Sequence, residues 1–92
     1  MFAIAFDLTV AEVERRHSRS VPAAYDEIGR VLSRFNFEWR QGSVYTSSNE
    51  DLANLFSAIS ALKSLPWFPA SVRDIRAFRV EQWSDFTPFI KS

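Results

Sequence analysis

The opening stretch Phe2-Ala3-Ile4-Ala5-Phe6-Asp7-Leu8 is an almost unbroken apolar run with one carboxylate near its end. A strand reads this way when both of its faces are covered and both of its edges are paired, so the run predicts a central strand. Asp7 is then out of place. A carboxylate emerging from such a strand loses hydration and requires a partner, a metal or a proton, which makes Asp7 the first candidate for chemistry. The plain alternative is that it caps the following turn by accepting backbone N–H bonds.

The rest of the chain supplies elements to surround that strand. Thr9-Val10-Ala11-Glu12 has the form of a capping box and predicts a short helix over 10–16. Ser20 caps a second helix in which Pro22 is tolerated in the first turn, and Val21, Tyr25, Ile28, Leu32 and Phe35 recur at helical spacing. Gly29 inside it predicts the close approach of another element more than a break. Residues 37–41 alternate, Gly42 supplies a turn and 43–47 are rich in β-formers, which together read as a hairpin. Ser48-Asn49-Glu50-Asp51 is a cluster of capping residues, and Leu52, Leu55, Phe56, Ile59 and Leu62 form the stripe of a helix that ends before Pro66. Residues 72–83 read as the last strand, their imperfect period pointing to a bulge or to a strand whose two faces both meet protein. Phe86, Phe89 and Ile90 near the C-terminus would be left in water by a free tail, so the tail is expected to dock in a homodimer.

The order strand, helix, strand, strand, helix, strand predicts an α+β, ferredoxin-like (split βαβ) domain over residues 1–92, with a four-stranded antiparallel sheet and the helices on one face. One sheet face stays uncovered in that topology. Hydrophobic residues make up 47% of the chain and aromatics 15%, which excludes disorder and leaves more rings than so small a core hides. A formal net charge of zero argues against coating nucleic acid or membrane by bulk electrostatics, so any RNA contact must use a local patch. There is no cysteine for a disulfide or thiolate zinc site. The first residues are too short and too acidic a run for a leader or a membrane span, and cytoplasm is the expected location.

FAIAFDL at the start, FEWRQGSVY in the middle and SVRDIRAFRVEQWSDFT near the end resemble the virulence-associated protein D (VapD) family across essentially the whole chain. The resemblance implies a ferredoxin-like homodimer related to small CRISPR-associated nucleases, with endoribonuclease activity as the toxin of a bacterial toxin-antitoxin pair. It implies catalytic roles for Asp7, for Ser43 after the hairpin glycine and for Asp74 opening the last strand. A small antitoxin protein is the implied partner beside RNA and a second copy.

Read for chemistry, two copies of Asp7 meeting at a two-fold cleft would hold Mg²⁺, or one carboxyl would serve as general base for a ribose 2′-hydroxyl without metal. Ser43 is a hydrogen-bond donor to a scissile phosphate, or a hydroxyl satisfying a turn. Asp74 lies between Arg73 and Arg76 and reads equally as an ion-pair partner. Arg40, Arg73 and Arg76 are the candidate substrate-binding cations, since arginine suits bidentate phosphate recognition. His17 is the only histidine, which removes two-histidine cleavage within one protomer; it and Arg15, Arg16 and Arg19 read as a solvated helix end. The rival function is a non-catalytic nucleic-acid-binding or scaffolding dimer of the same fold.

Overall fold

A computed structural model describes residues 1–92. In chain order the elements are β1 (Phe2–Leu8), α1 (Val10–Arg16), α2 (Val21–Ser33), β2 (Glu38–Gln41), β3 (Val44–Ser47), α3 (Leu52–Lys63), α4 (Phe68–Ser71), β4 (Val72–Arg79) and α5 (Thr87–Lys91). The four strands form one antiparallel sheet in the order β2-β3-β1-β4. This is the expected ferredoxin-like arrangement, and β1 lies at its centre because β3 and β4 pair with its two edges.

Strand periodicity sorts β1 into two faces. Phe2, Ile4, Phe6 and Leu8 are buried with Ala24, Ile28, Val31 and Leu32 of α2, Ala58 and Leu62 of α3, and Phe37, Trp67 and Phe68. Ala3, Ala5 and Asp7 take the opposite, helix-free face. Ala3 is nevertheless fully buried, since Thr46 and Phe78 flank it directly across β3 and β4. The unbroken apolarity of β1 therefore has two causes: large residues meet the helices, and small ones are shielded by neighbouring strands. Ile4 is completely buried, so Ile4→Ala would cost on the order of 2–5 kcal/mol.

Several local expectations are met in detail. Ser20 caps α2 by accepting the Ala23 N–H at 3.2 Å, and Asp51 caps α3 by accepting that of Ala53 at 2.9 Å. Gly42 turns the hairpin with φ of +48°. A Cβ on Gly29 would lie 3.2 Å from the Tyr45 hydroxyl, which is the close approach that a glycine in mid-helix signals.

Four expectations are corrected. Neither half of the capping box forms: Thr9 makes no side-chain cap bond, and its N–H donates to the Ser71 carbonyl at 2.8 Å while the Glu12 carboxylate turns to Arg15 at 2.9 Å and to Arg16 at 2.8 Å. Only part of the α3 stripe faces inward: Ala58 and Leu62 are buried and Leu55 and Ile59 partly so, whereas Leu52 and Phe56, one turn apart, lie on its solvent shoulder. Trp67-Phe68-Pro69 is more than a connection, since it opens a one-turn helix whose Trp67 and Phe68 enter the core. The last strand stops at Arg79 rather than at residue 83. Val80 turns back to the chain start, its N–H donating to the Met1 carbonyl at 2.7 Å. No residue after Val80 is buried, and of the apolar side chains there Trp83, at 36% exposure, is the one largely covered by its own chain.

Candidate active site

The C-terminal end of β1 and the N-terminal end of β4 build a compact charged cluster on the helix-free face. Asp7 lies directly opposite Asp74 in the β1–β4 register. Opposed residues of an antiparallel pair keep their Cβ atoms about 4.5–5.5 Å apart, so two carboxylates share a narrow space. The register shifts between Asp7 and Leu8, leaving Arg73 as the extra residue of a bulge, one of the two readings that the imperfect period of this strand allows. Freed from the ladder, Arg73 donates from Nε and Nη2 to Oδ2 of Asp7 at 2.9 and 2.8 Å. Arg76 Nε lies 3.2 Å from each Asp74 oxygen. Each acid thus has one guanidinium, an arrangement that offsets the repulsion of like charges across strands.

The cluster is open to solvent, with the Asp7 side chain 55% exposed, and its Oδ1 has no partner within the chain. Asp7 does not cap α1, because its carboxylate is turned to Arg73. Ser43 reaches the same end of the sheet through the backbone, its carbonyl accepting the Phe6 N–H at 3.2 Å. Asp7, Asp74, Arg73 and Arg76 are therefore gathered together, whereas Ser43 is brought near them by its backbone alone, level with Phe6, whose side chain faces the helices. Arg40 is not among them: it bulges from β2, donates from Nε to the Thr46 hydroxyl and lies 3.6 Å from Glu38. Thr46 is opposite Ala3, four residues and about 13 Å up the strand from Asp7.

His17 corrects the reading of residues 15–19 as a solvated helix end. Its side chain is only 7% exposed and packs edge-on against Trp67, ring centroids 5.1 Å apart. Nδ1 accepts the Arg19 N–H at 3.2 Å, which leaves Nε2 to donate toward Glu27 Oε1 at 3.3 Å. The same Glu27 oxygen accepts the Trp67 indole N–H at 2.6 Å. Sequence reading missed Glu27, although a buried indole N–H always requires an acceptor and was the available signal. Arg15 and Arg16 are spent on Glu12, whose carboxyl is held below the usual carboxylate range chiefly by the Arg16 hydrogen bond.

No protein-family model matches the chain. It is 61% identical over 92 residues, all of both chains, to a protein of Neisseria gonorrhoeae named endoribonuclease VapD homolog. It is 56% identical over 92 residues, again all of both chains, to endoribonuclease VapD of Haemophilus influenzae. The chain belongs to the VapD family. Another VapD relative, of Dichelobacter nodosus, is 53% identical over 91 residues, 99% of this chain and 98% of its own.

For a VapD chain the chemistry available at this end of the sheet is narrow. There is no thiol, the single histidine is committed to Glu27, and no three His, Cys, Asp or Glu side chains gather as a metal cluster. What the site offers is two carboxylates for proton transfer and two guanidinia for phosphate oxygens. Mg²⁺ is usually held by one or two carboxylates together with substrate phosphate and water, so Asp7, through its unpartnered Oδ1, and Asp74 fit that ion without a third ligand.

Proposed function

We propose that this chain is an endoribonuclease that cleaves single-stranded RNA, with its chemistry centred on Asp7. Membership of a family whose members are named endoribonuclease VapD supports the reaction class. The observation that carries the site is the in-register pair Asp7 and Asp74, each bound to an arginine, on an open sheet face.

Asp7 is the general base. Its carboxylate takes the proton of a ribose 2′-hydroxyl, the 2′-oxygen attacks phosphorus to form a 2′,3′-cyclic phosphate, and the bond to the 5′-oxygen breaks as that oxygen takes a proton from solvent water. Arg73 and Arg76 offset charge on the equatorial phosphate oxygens, a preorganised electrostatic contribution. The Ser43 hydroxyl donates to the scissile phosphate, and Asp74 holds Arg76 in position. Mg²⁺ bound through Asp7 would supply further charge neutralisation at the phosphate. Single-stranded RNA fits because its phosphates and bases reach a flat sheet face without a groove to enter.

The same reading makes the protein a homodimer, whose two-fold brings two Asp7 sites to one cleft, and the toxin of a pair restrained by a small antitoxin protein. Induced expression is then expected to arrest growth, and Asp7→Asn to relieve the arrest. The decisive experiment incubates wild type and Asp7→Asn with a defined RNA, with and without EDTA. Cleavage should fall by about 10²–10⁴-fold in the folded variant. Unchanged cleavage by Asp7→Asn would remove Asp7 from the mechanism, and loss with EDTA would make the ion part of it.

A further inference from the structure

Nine arginines are present, and six have a carboxylate within salt-bridge distance: Arg15, Arg16, Arg40, Arg73, Arg76 and Arg79. The three without one, Arg19, Arg30 and Arg34, are not scattered. Arg19 and Arg30 line a cavity of about 330 Å³ between the 17–20 loop, α2 and Trp67. Arg30 and Arg34 line an adjoining cavity of about 330 Å³, and the two share Glu27 and Arg30 as walls. Ala23, Glu27, Arg30 and Arg34 follow one another at helical spacing, so one stripe of α2 and its C-cap runs through both.

The cavities are built rather than incidental. His17 pins the loop by its bond to the Arg19 N–H and its contact with Trp67, which fixes where Arg19 leaves the backbone. The only carboxylate in either wall is Glu27, and its Oε1 is already taken by the Trp67 indole and faces His17. Glu27 keeps its negative charge in both walls, and against it stand three guanidinia, Arg19, Arg30 and Arg34, none within salt-bridge distance of a carboxylate. Ala23 adds the first turn of α2, whose dipole also favours negative charge.

We propose that this twin cavity is a phosphate-binding exosite for the RNA strand, separate from the Asp7–Asp74 cluster and formed by Arg19, Arg30 and Arg34. Bidentate guanidinium binding of backbone phosphates is the chemistry it is shaped for. The cavities lie in the helix layer and the Asp7–Asp74 cluster on the helix-free face, so a strand that reaches both runs round the end of β1. α1 leaves the end of β1 just after Asp7, and its seven residues span about 10 Å before the loop that carries Arg19. The inference rests on RNA being the substrate, and its test reads the two sites separately.

The experiment is a titration of the isotope-labelled wild-type protein with a short, uncleavable 2′-O-methyl RNA, following the arginine Nε–H resonances by NMR. Shifts of Arg19, Arg30 and Arg34 are expected from the exosite, and shifts of Arg73 and Arg76 from the nuclease site. Movement of Arg73 and Arg76 alone would overturn the exosite while leaving the active site intact. Movement of none of the five would sink both. Inorganic phosphate and poly-glutamate form the control arms. If either shifts Arg19, Arg30 and Arg34 while RNA does not, the cavity is an anion or acidic-protein site and the proposal fails. The triple variant Arg19→Gln, Arg30→Gln, Arg34→Gln should weaken RNA binding about tenfold and lower the salt slope by about 2, three phosphate contacts on a single strand. Wild-type affinity and slope in the folded variant would overturn the proposal.

Discussion

Asp7 and Asp74 are a case in which one residue makes sense only with three others. Two carboxylates facing each other across strands repel, and the chain tolerates them because the bulge turns Arg73 onto Asp7 while Arg76 holds Asp74. Both ion pairs are more than half exposed, so each contributes at most about 1 kcal/mol. Arg73→Gln should lower stability by about 0.2–1 kcal/mol, read as a shift in the urea midpoint at unchanged slope. Adding Asp74→Asn should recover part of that loss, because the acid left facing Asp7 is then neutral. Additive losses in the double variant would mean that the two acids do not feel each other. In the proposed mechanism the same arginine is a phosphate ligand, so Arg73→Gln should also weaken RNA binding and flatten its salt dependence by about one contact. Of this cluster Asp7 was legible in sequence, as the lone charge in an apolar strand. Its pairing with Arg73 was not, since the bulge that turns Arg73 inward depends on the register between strands 66 residues apart. Arg40 lies apart from the cluster for the same reason, since a residue type does not say which way a bulge will aim it.

At the level of elements, Gly29 and Tyr45 tie α2 to β3 through one contact. In a helix interior glycine is about 1 kcal/mol less favourable than alanine, so Gly29→Ala would ordinarily stabilise α2. Here the added methyl would lie 3.2 Å from the Tyr45 hydroxyl, closer than ordinary packing. Burial raises the Tyr45 phenol above its ordinary pKa, with Asp26 adding to the effect. Gly29→Ala is expected to be neutral or destabilising in wild type and to stabilise by up to about 1 kcal/mol once Tyr45→Phe has removed the oxygen. Equal effects in both backgrounds, measured by thermal unfolding, would show that the contact does not govern the glycine. The elements themselves were largely readable because capping residues and apolar spacing act locally. Ser20 and Asp51 fixed helix starts, and Gly42 fixed the turn. The failures share one cause, competition from outside the segment. Glu12 was drawn from its expected cap by Arg15 and Arg16, and Leu52 and Phe56 were left out because Leu55, Ala58, Ile59 and Leu62 already fill the seam beneath α3.

The whole molecule is looser than its length calls for. A compact domain of 92 residues has a radius of gyration of about 12 Å, whereas this chain has 14.1 Å and extents of 40 × 36 × 20 Å. The excess belongs to the segment after Val80, where α5 carries Phe89 and Ile90 at 76% and 75% exposure with Phe86 just before it. Exposed rings in a row at one end of a small chain are an interaction surface more than a cost that a monomer would carry. Phe78 on the helix-free face and the Leu52–Phe56 shoulder are similarly uncovered. A second copy would gain buried apolar area from these tails at roughly 25 cal/mol per Å² while leaving each core unchanged. Light scattering of the wild type at micromolar concentration should therefore give the mass of a dimer. Replacing Phe86, Phe89 and Ile90 with serine should give a folded monomer, since the helix-facing core does not involve them. A wild type that scatters as a monomer would end the case for a shared Asp7 cleft, and a triple variant that stays dimeric would move the interface from the tail to the sheet.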